Sequence, residues 1–357
     1  MRGFKRFLLV MLVLGVLAGA GFGVLWVKHR VEAYSLENIV VEPAPPQPKP
    51  PEEKIALDER LEGLLSREDE ARLLYAPEPG TKILSAAFID NGTLMLTTSA
   101  AQGKETRWNL ERFDIASATS VQLLGSTAFR LASSHRPAHR NVNRFCYSER
   151  DAKRGVFEIW CADLDGRNAK QITTHDGKED LLSPAISPDG AWIAFEVLAE
   201  RPKPQGSTIW KVRLDGSDLQ QLTRGADDRR PSWSDDGRKI YFQRRPIAGG
   251  TSWDMYGMDA DGKNSGPLLR THEEDESFLA RRAATDTFVV VESASGVPAR
   301  LKLIDAVTKA GEYLTAGTNG SETSPSVSPD GRVVAFIAPI SADQPDALAV
   351  WLAQIKY

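Results

Sequence analysis

The chain predicts an all-β fold, a six-bladed β-propeller built of four-stranded antiparallel blades. Three observations lead there: a strand-and-turn unit that recurs, its period, and a segment ahead of the first unit that can complete the last. The clearest unit runs from Ser183 to Thr223. Pro184 to Ser187 reads as a short first strand, and Trp192 to Val197 as a second, with Ile193 and Phe195 apolar around small Ala194. Thr208 to Leu214 and Leu219 to Thr223 supply the third and fourth. Pro188-Asp189-Gly190 and Asp215-Gly216 lie between apolar runs, where glycine takes positive φ without steric cost and closes a hairpin.

Related units start at Pro231 and Ser324, and looser copies at Ala86, His139 and Ala283. The glycine-equivalent positions are Gly92, Val142, Gly190, Gly237, Asp286 and Gly331, spaced by 45 to 50 residues. Six units at this period mean a propeller or a solenoid. The sixth unit reaches Tyr357 on its third strand. Tyr75, at the end of Ala71-Arg72-Leu73-Leu74-Tyr75, sits 17 residues ahead of Gly92, and Thr173, ending a fourth strand, sits 17 ahead of Gly190. The N-terminal segment is therefore placed to supply the missing outer strand and close the ring, which removes open sheet edges. A solenoid would need capping units, and none is visible.

The Ser187-Pro188-Asp189-Gly190 turn, followed by Ile193-Ala194-Phe195, Ile209-Trp210, Leu214-Asp215-Gly216 and Gln221-Leu222-Thr223, resembles the TolB-like six-bladed propellers. These carry WD-like repeats with a Pro-Asp-Gly turn. The resemblance covers residues 71–357 and implies protein or peptide binding on the face with the longer loops. In the Tol-Pal member of that family the partner is a peptidoglycan-associated lipoprotein. This chain departs from that member: a helix and stalk stand ahead of its repeats in place of an α/β domain.

With 357 residues, 41% apolar, 26% charged and a net charge of −4, one large soluble domain plus appendages is expected. The balance offers no electrostatic case for nucleic acid. The first residues differ. Arg2, Lys5 and Arg6 precede an uncharged run, 7–27, long enough to span a hydrocarbon core of roughly 30 Å. Apolar Phe22, Val24, Leu25 and Trp26 continue past the small-residue site Ala18-Gly19-Ala20, which favours an uncleaved signal anchor over a cleaved signal peptide. Basic residues ahead of the span put 1–6 in the cytoplasm and the propeller in the periplasm or outside the cell, tethered to a bacterial inner membrane. The alternative is a secreted or periplasmic protein after cleavage. Residues 28–52 form a linker whose proline-rich part reads as a semi-rigid stalk. Residues 53–70 read as an amphipathic helix, with Leu57, Leu61, Leu64 and Leu65 at helical spacing.

Cys146 and Cys161 fall on the second and third strands of the second unit, nearly opposite each other across the Asp151–Gly155 turn. A disulfide fits an oxidising compartment. Two buried free thiols remain the alternative, because a one-residue register change separates them.

The search for catalytic motifs finds no Gly-x-Ser-x-Gly elbow, Walker loop, dinucleotide glycine pattern or His-Glu-x-x-His. His29, His135, His139, His175 and His272 are scattered, and Pro137 interrupts the His135/His139 pair. No metal and no cofactor is expected. What remains is loop chemistry, and loops on a rigid scaffold carry binding. The segments ahead of the first strands should ring the channel mouth. They contain Glu179 and Asp180; Asp227, Asp228, Arg229 and Arg230; Glu273, Glu274, Asp275 and Glu276; Glu322; and His135 and Arg136. Outer loops on the same face are basic, with Arg150, Lys153, Arg154, Arg201, Lys203, Arg244 and Arg245. An acidic mouth inside a basic rim suits a cationic peptide segment or a metal ion.

The expectation is a non-catalytic protein- or peptide-binding module of an envelope complex, tethered through 7–27. The alternative is an envelope lyase or hydrolase with its active site at the channel mouth. Against it, the inner strands offer Ser183, Ser187, Ser232, Ser234, Ser326 and Ser328, which are poor metal ligands.

Overall fold

The computed structural model describes residues 71–355, except 127–128, 131–137, 139–141, 152, 199–205, 246–251, 270–274, 282–286, 294–295, 306 and 318. The segments expected as membrane span, linker and amphipathic helix (7–27, 28–52 and 53–70) lie outside the described residues. Among the described residues no helix is long and apolar enough to cross a membrane.

Twenty-four strands form six four-stranded sheets among the described residues. β1 (Arg72–Tyr75) comes first. Blade 1 is β2 (Thr81–Asp90), β3 (Thr93–Gln102), β4 (Glu105–Asp114) and β5 (Thr119–Ser126). Blade 2 is β6 (Phe129–Arg130), β7 (Arg144–Arg150), β8 (Phe157–Asp163) and β9 (Lys170–Gln171). Blade 3 is β10 (Asp180–Ile186), β11 (Trp192–Leu198), β12 (Ser207–Arg213) and β13 (Gln220–Gln221). Blade 4 is β14 (Asp227–Trp233), β15 (Lys239–Arg245), β16 (Asp254–Asp259) and β17 (Gly266–Leu269). Blade 5 is β18 (Asp275–Arg281), β19 (Thr287–Ser293), β20 (Arg300–Asp305) and β21 (Gly311–Tyr313). Blade 6 is β22 (Thr323–Val327), β23 (Val333–Pro339) and β24 (Leu348–Gln354), with β1 as its outer strand. β1 pairs antiparallel with β24, Arg72 opposite Leu352 and Leu73 opposite Trp351. The ring closes as the spacing of the repeats predicts.

The Ser-Asp-Gly turns recur for a physical reason. Asp189 Oδ1 accepts from the Ser187 hydroxyl at 2.5 Å and the Ala191 amide at 3.0 Å, while Ser187 Oγ accepts from Trp192 N at 2.9 Å. The same bonds join Ser234, Asp236 and Lys239, and Ser328, Asp330 and Val333. Gly190, Gly237 and Gly331 follow at φ 70°, 70° and 74°, which a Cβ would strain. The Thr that ends the fourth-strand segment has its own task. Thr173 and Thr223 accept from the amides of Ile159 and Ile209, both at 2.9 Å, fastening the outer strand to the third.

Packing is between blades. Each apolar cluster draws from two neighbours: Cys146, Ile159 and Cys161 of blade 2 meet Leu181, Ile193 and Phe195 of blade 3. Ala185, Ala194 and Ile209 of blade 3 meet Trp233, Ile240 and Phe242 of blade 4. Blades 6 and 1 close the circle through Val350 and Leu352 against Ile83, Leu94 and Phe113. First strands of neighbouring blades touch, β10 with β14 and β18 with β22, so they are the inner strands.

The inner strands begin earlier than the sequence suggests. β10 starts at Asp180 and β14 at Asp227, four residues ahead of Pro184 and Pro231. A β-bulge absorbs each proline: the register slips between Leu182 and Ala185, Arg229 and Ser232, and Thr323 and Ser326. Ser183, Arg230 and Ser324, just before the prolines, take φ of 52°, 51° and 51°. Proline cannot donate to the ladder and therefore sits at bulges, so pairing resumes on its N-terminal side. Asp180 and Asp227 to Arg230 thus belong to strands, not to free loops.

Candidate functional site

The starts of the first and third strands and the ends of the second share one face of the ring, and those charged residues singled out from the sequence that are described lie there, with Arg201, Lys203, Glu273 and Glu274 outside the described residues. Asp180 Oδ1 accepts from the Phe157 amide at 2.9 Å, tying blade 3 to blade 2. Asp227, its equivalent, accepts from Ser207 N at 2.9 Å and ties blade 4 to blade 3. Ser321, four residues ahead of Pro325, accepts from Ala299 N at 3.3 Å. Glu322 is buried and takes the Leu301 amide at 2.9 Å and the Thr315 hydroxyl. Burial pushes its carboxyl above the usual range. These acids bolt blades together, as amides at strand starts need acceptors when solvent is excluded.

Blade 4 carries the densest arrangement. Asp228 has no exposed surface and receives Arg244 in a two-pronged bond, Nε to Oδ1 at 2.6 Å and an Nη to Oδ2 at 2.8 Å. The Arg244 guanidinium also lies 4.7 Å from the Tyr256 ring centre. Asp227 is shared by two guanidiniums: Arg229 Nε at 2.9 Å and Arg245 at 2.8 Å. Burial works to raise the Asp227 carboxyl, but the Arg229, Ser207 and Arg245 donors hold it below the usual range. Both arginines stack on Trp253, at 5.1 and 4.6 Å. The side chain of Asp227 is 6% exposed, whereas those of Arg229 and Arg245 are 38% and 39% exposed. At this position the acids the sequence places at the mouth are covered, and the cations of mouth and rim remain at the surface.

Arg230 is placed differently. Its amide donates to Glu196 Oε2 at 3.0 Å. Glu196, on β11, is buried, and that burial raises its carboxyl above the usual range despite the nearby Arg229 and Arg230. Glu179 Oε2 lies 3.7 Å from His175 Nε2, and His175 Nδ1 contacts the buried Glu158 at 2.9 Å. Glu158 also accepts from Thr173 Oγ1 at 2.6 Å and Arg154 at 2.5 Å. Asp275 and Glu276 open β18, paired with Ser293 and Glu292. His135 and Arg136 fall outside the described residues. Among the described residues no group of three His, Cys, Asp or Glu side chains is arranged to hold a metal ion.

Cys146 and Cys161 are direct cross-strand partners, joined as a disulfide with Cα atoms 4.1 Å apart. Of the inner serines, Ser187, Ser234 and Ser328 serve the turns, and Ser326 Oγ accepts from Phe88 N at 3.0 Å across the blade 6 to blade 1 boundary. Sequence reasoning missed Glu158, Glu196 and Trp253. Glu158 stands between Phe157 and Ile159 and Glu196 between Phe195 and Val197, and a carboxylate between apolar strand residues was the available signal.

The profile of the TolB beta propeller domain family (PD40) matches residues 95–350. An uncharacterized protein of Agrobacterium fabrum is 35% identical over 88 residues, 24% of this chain and 28% of that protein. The crystal structure of TolB from Acinetobacter baumannii superimposes with a TM-score of 0.54 at 19% identity, covering 70% of this chain and 60% of that one. An oligogalacturonate lyase in complex with manganese superimposes with a TM-score of 0.54 at 12% identity, covering 80% and 93%. The chain therefore spans just over a quarter of the first relative and three fifths of the TolB chain, and the two structures are alike in fold. The match over residues 95–350 takes in most of the chain, which belongs to the TolB beta propeller domain family.

Proposed function

We propose that the chain is a membrane-tethered, extracytoplasmic propeller of a bacterial envelope complex that works without chemistry, by binding a segment of a partner protein. One observation carries the reading: Arg229 and Arg245 stand half-exposed on Trp253, both held by the covered carboxylate of Asp227. Arginine and tryptophan are the residues that dominate binding energy at protein interfaces. Two half-exposed guanidiniums share the Asp227 carboxylate, so the segment that fits is acidic, or presents a free carboxylate, rather than cationic. The uncharged run 7–27 supports the tether, and the Cys146–Cys161 bridge suits an oxidising compartment.

The test is crosslinking in intact membranes with the full chain, wild type against R229A/R245A. A partner captured by wild type and lost from the variant, with capture weakening as salt rises, supports the reading. Equal capture by both moves the interface elsewhere. Turnover of a small molecule or glycan by purified protein, with the same loss in the variant, replaces the reading with an enzyme.

A further inference from the structure

The outer strands of five blades are short and guarded. β9 and β13 have two residues each, β21 three with Glu312, β17 four with Pro267, and β1 four beginning at Arg72. The next blade's turn also covers β9 and β13: a Cβ on Gly216 would come 2.6 Å from the Ile172 carbonyl oxygen, and one on Gly262 3.2 Å from that of Leu222. Short edges, charge, proline and cover are how sheets avoid pairing with other chains.

β5 departs from this pattern. It has eight residues, and the stretch from Ala116 to Ser126 contains neither charge nor proline. The covering turn meets it at Leu123, whose carbonyl oxygen would lie 2.7 Å from a Cβ on Gly166. Thr119 to Gln122 remain exposed, Val121 at 56%.

We propose that the β5 edge of blade 1 is an interface for a second copy of this chain, the two edges pairing antiparallel about a twofold axis at Ser120. An uncharged strand meets its own copy without like charges opposed. The axis places Val121 opposite the second copy's Thr119. Val121 is paired with Arg112 on β4, and Thr119 with Asp114. Each row across the joined sheet then runs Arg112, Val121, the second copy's Thr119, the second copy's Asp114, with opposite charges at its ends. Arg112 makes no ion pair among the described residues, and a twofold contact of this kind is self-complementary by construction. The site is independent of Arg229 and Arg245.

Symmetry supplies the test, because Ser120 would face itself. In the full chain in detergent, S120C should form a disulfide-linked dimer on mild oxidation several-fold more than L219C, an exposed control on blade 3. S120K and S120E should each shift the sedimentation profile to monomer at concentrations where wild type dimerises. An equimolar mixture of the two should restore the dimer. Wild type that stays monomeric at high micromolar concentration overturns the proposal, leaving the edge to a foreign strand. So does crosslinking of S120C no greater than L219C, or dimers that persist in both charge variants.

Discussion

Adjacent residues on β14 have opposite tasks. Asp228 is buried against Arg244, so Asp228→Ala leaves a guanidinium without its counter-charge and should cost about 3–5 kcal/mol. Arg229→Ala, at a half-exposed position, should cost less than about 1 kcal/mol. Denaturant unfolding of the two variants separates the fold from the binding surface, which is why Asp228 is the wrong residue for a binding test. Glu196 gives a pH signature. Its folded carboxyl is raised above 4.5 by burial, so the protonated form is favoured in the native state. Its contribution is full below pH 4.5 and declines as pH rises through the folded value. E196Q, which keeps an acceptor for the Arg230 amide, should therefore gain stability relative to wild type as pH is raised from 4 to 7. A difference that is flat with pH would sink this account. Asp189 works in the other direction. The Ser187 hydroxyl, then the Ala191 amide, holds it below 3.8, so its contribution is present above that value and lost on acidification.

For the elements, the bridge between β7 and β8 and the closing strand β1 matter most. The Cys146–Cys161 loop of 15 residues predicts up to about 3 kcal/mol of stabilisation from restricting the unfolded chain. Thermal unfolding with and without reductant should shift wild type and leave a C146S/C161S variant unmoved. β1 is held by its ladder to β24 and by Tyr75, whose ring lies 4.9 Å from that of Phe113. Tyr75→Ala should cost about 2 kcal/mol, below the full value for a wholly buried aromatic because Tyr75 is half-buried. Beyond lost stability, the variant should aggregate on heating, since releasing β1 exposes the β24 edge. Light scattering during a melt reads this directly.

At the scale of the ring, the cores lie between blades, so no blade has a core of its own. Val350, fully buried between the last blade and the first, should cost about 2 kcal/mol on truncation to alanine. The loss should lower one cooperative transition, with near- and far-ultraviolet circular dichroism still coincident. Separation of the two curves would mean that blades melt individually, as in a linear repeat array.

The repeats made the architecture legible from the sequence, because a turn that needs Asp and Gly at set offsets leaves its mark in every copy that keeps it. The period, the missing outer strand of the last blade and its replacement by Arg72 to Tyr75 follow from those offsets alone. So does the near-opposition of Cys146 and Cys161 across one hairpin. The charged face was legible only as a set of residues. Their partners lie on other strands and other blades, at separations such as Asp228 to Arg244 and Asp180 to Phe157, which no local pattern encodes. The bulges ahead of Pro184, Pro231 and Pro325 extended the inner strands and drew Asp180, Asp227 and Asp228 into the ladder. Composition thus determined which charges the face contains. Tertiary structure decided which of them keep water, because burial and pairing covered the acids of blade 4 and left Arg229 and Arg245 outside.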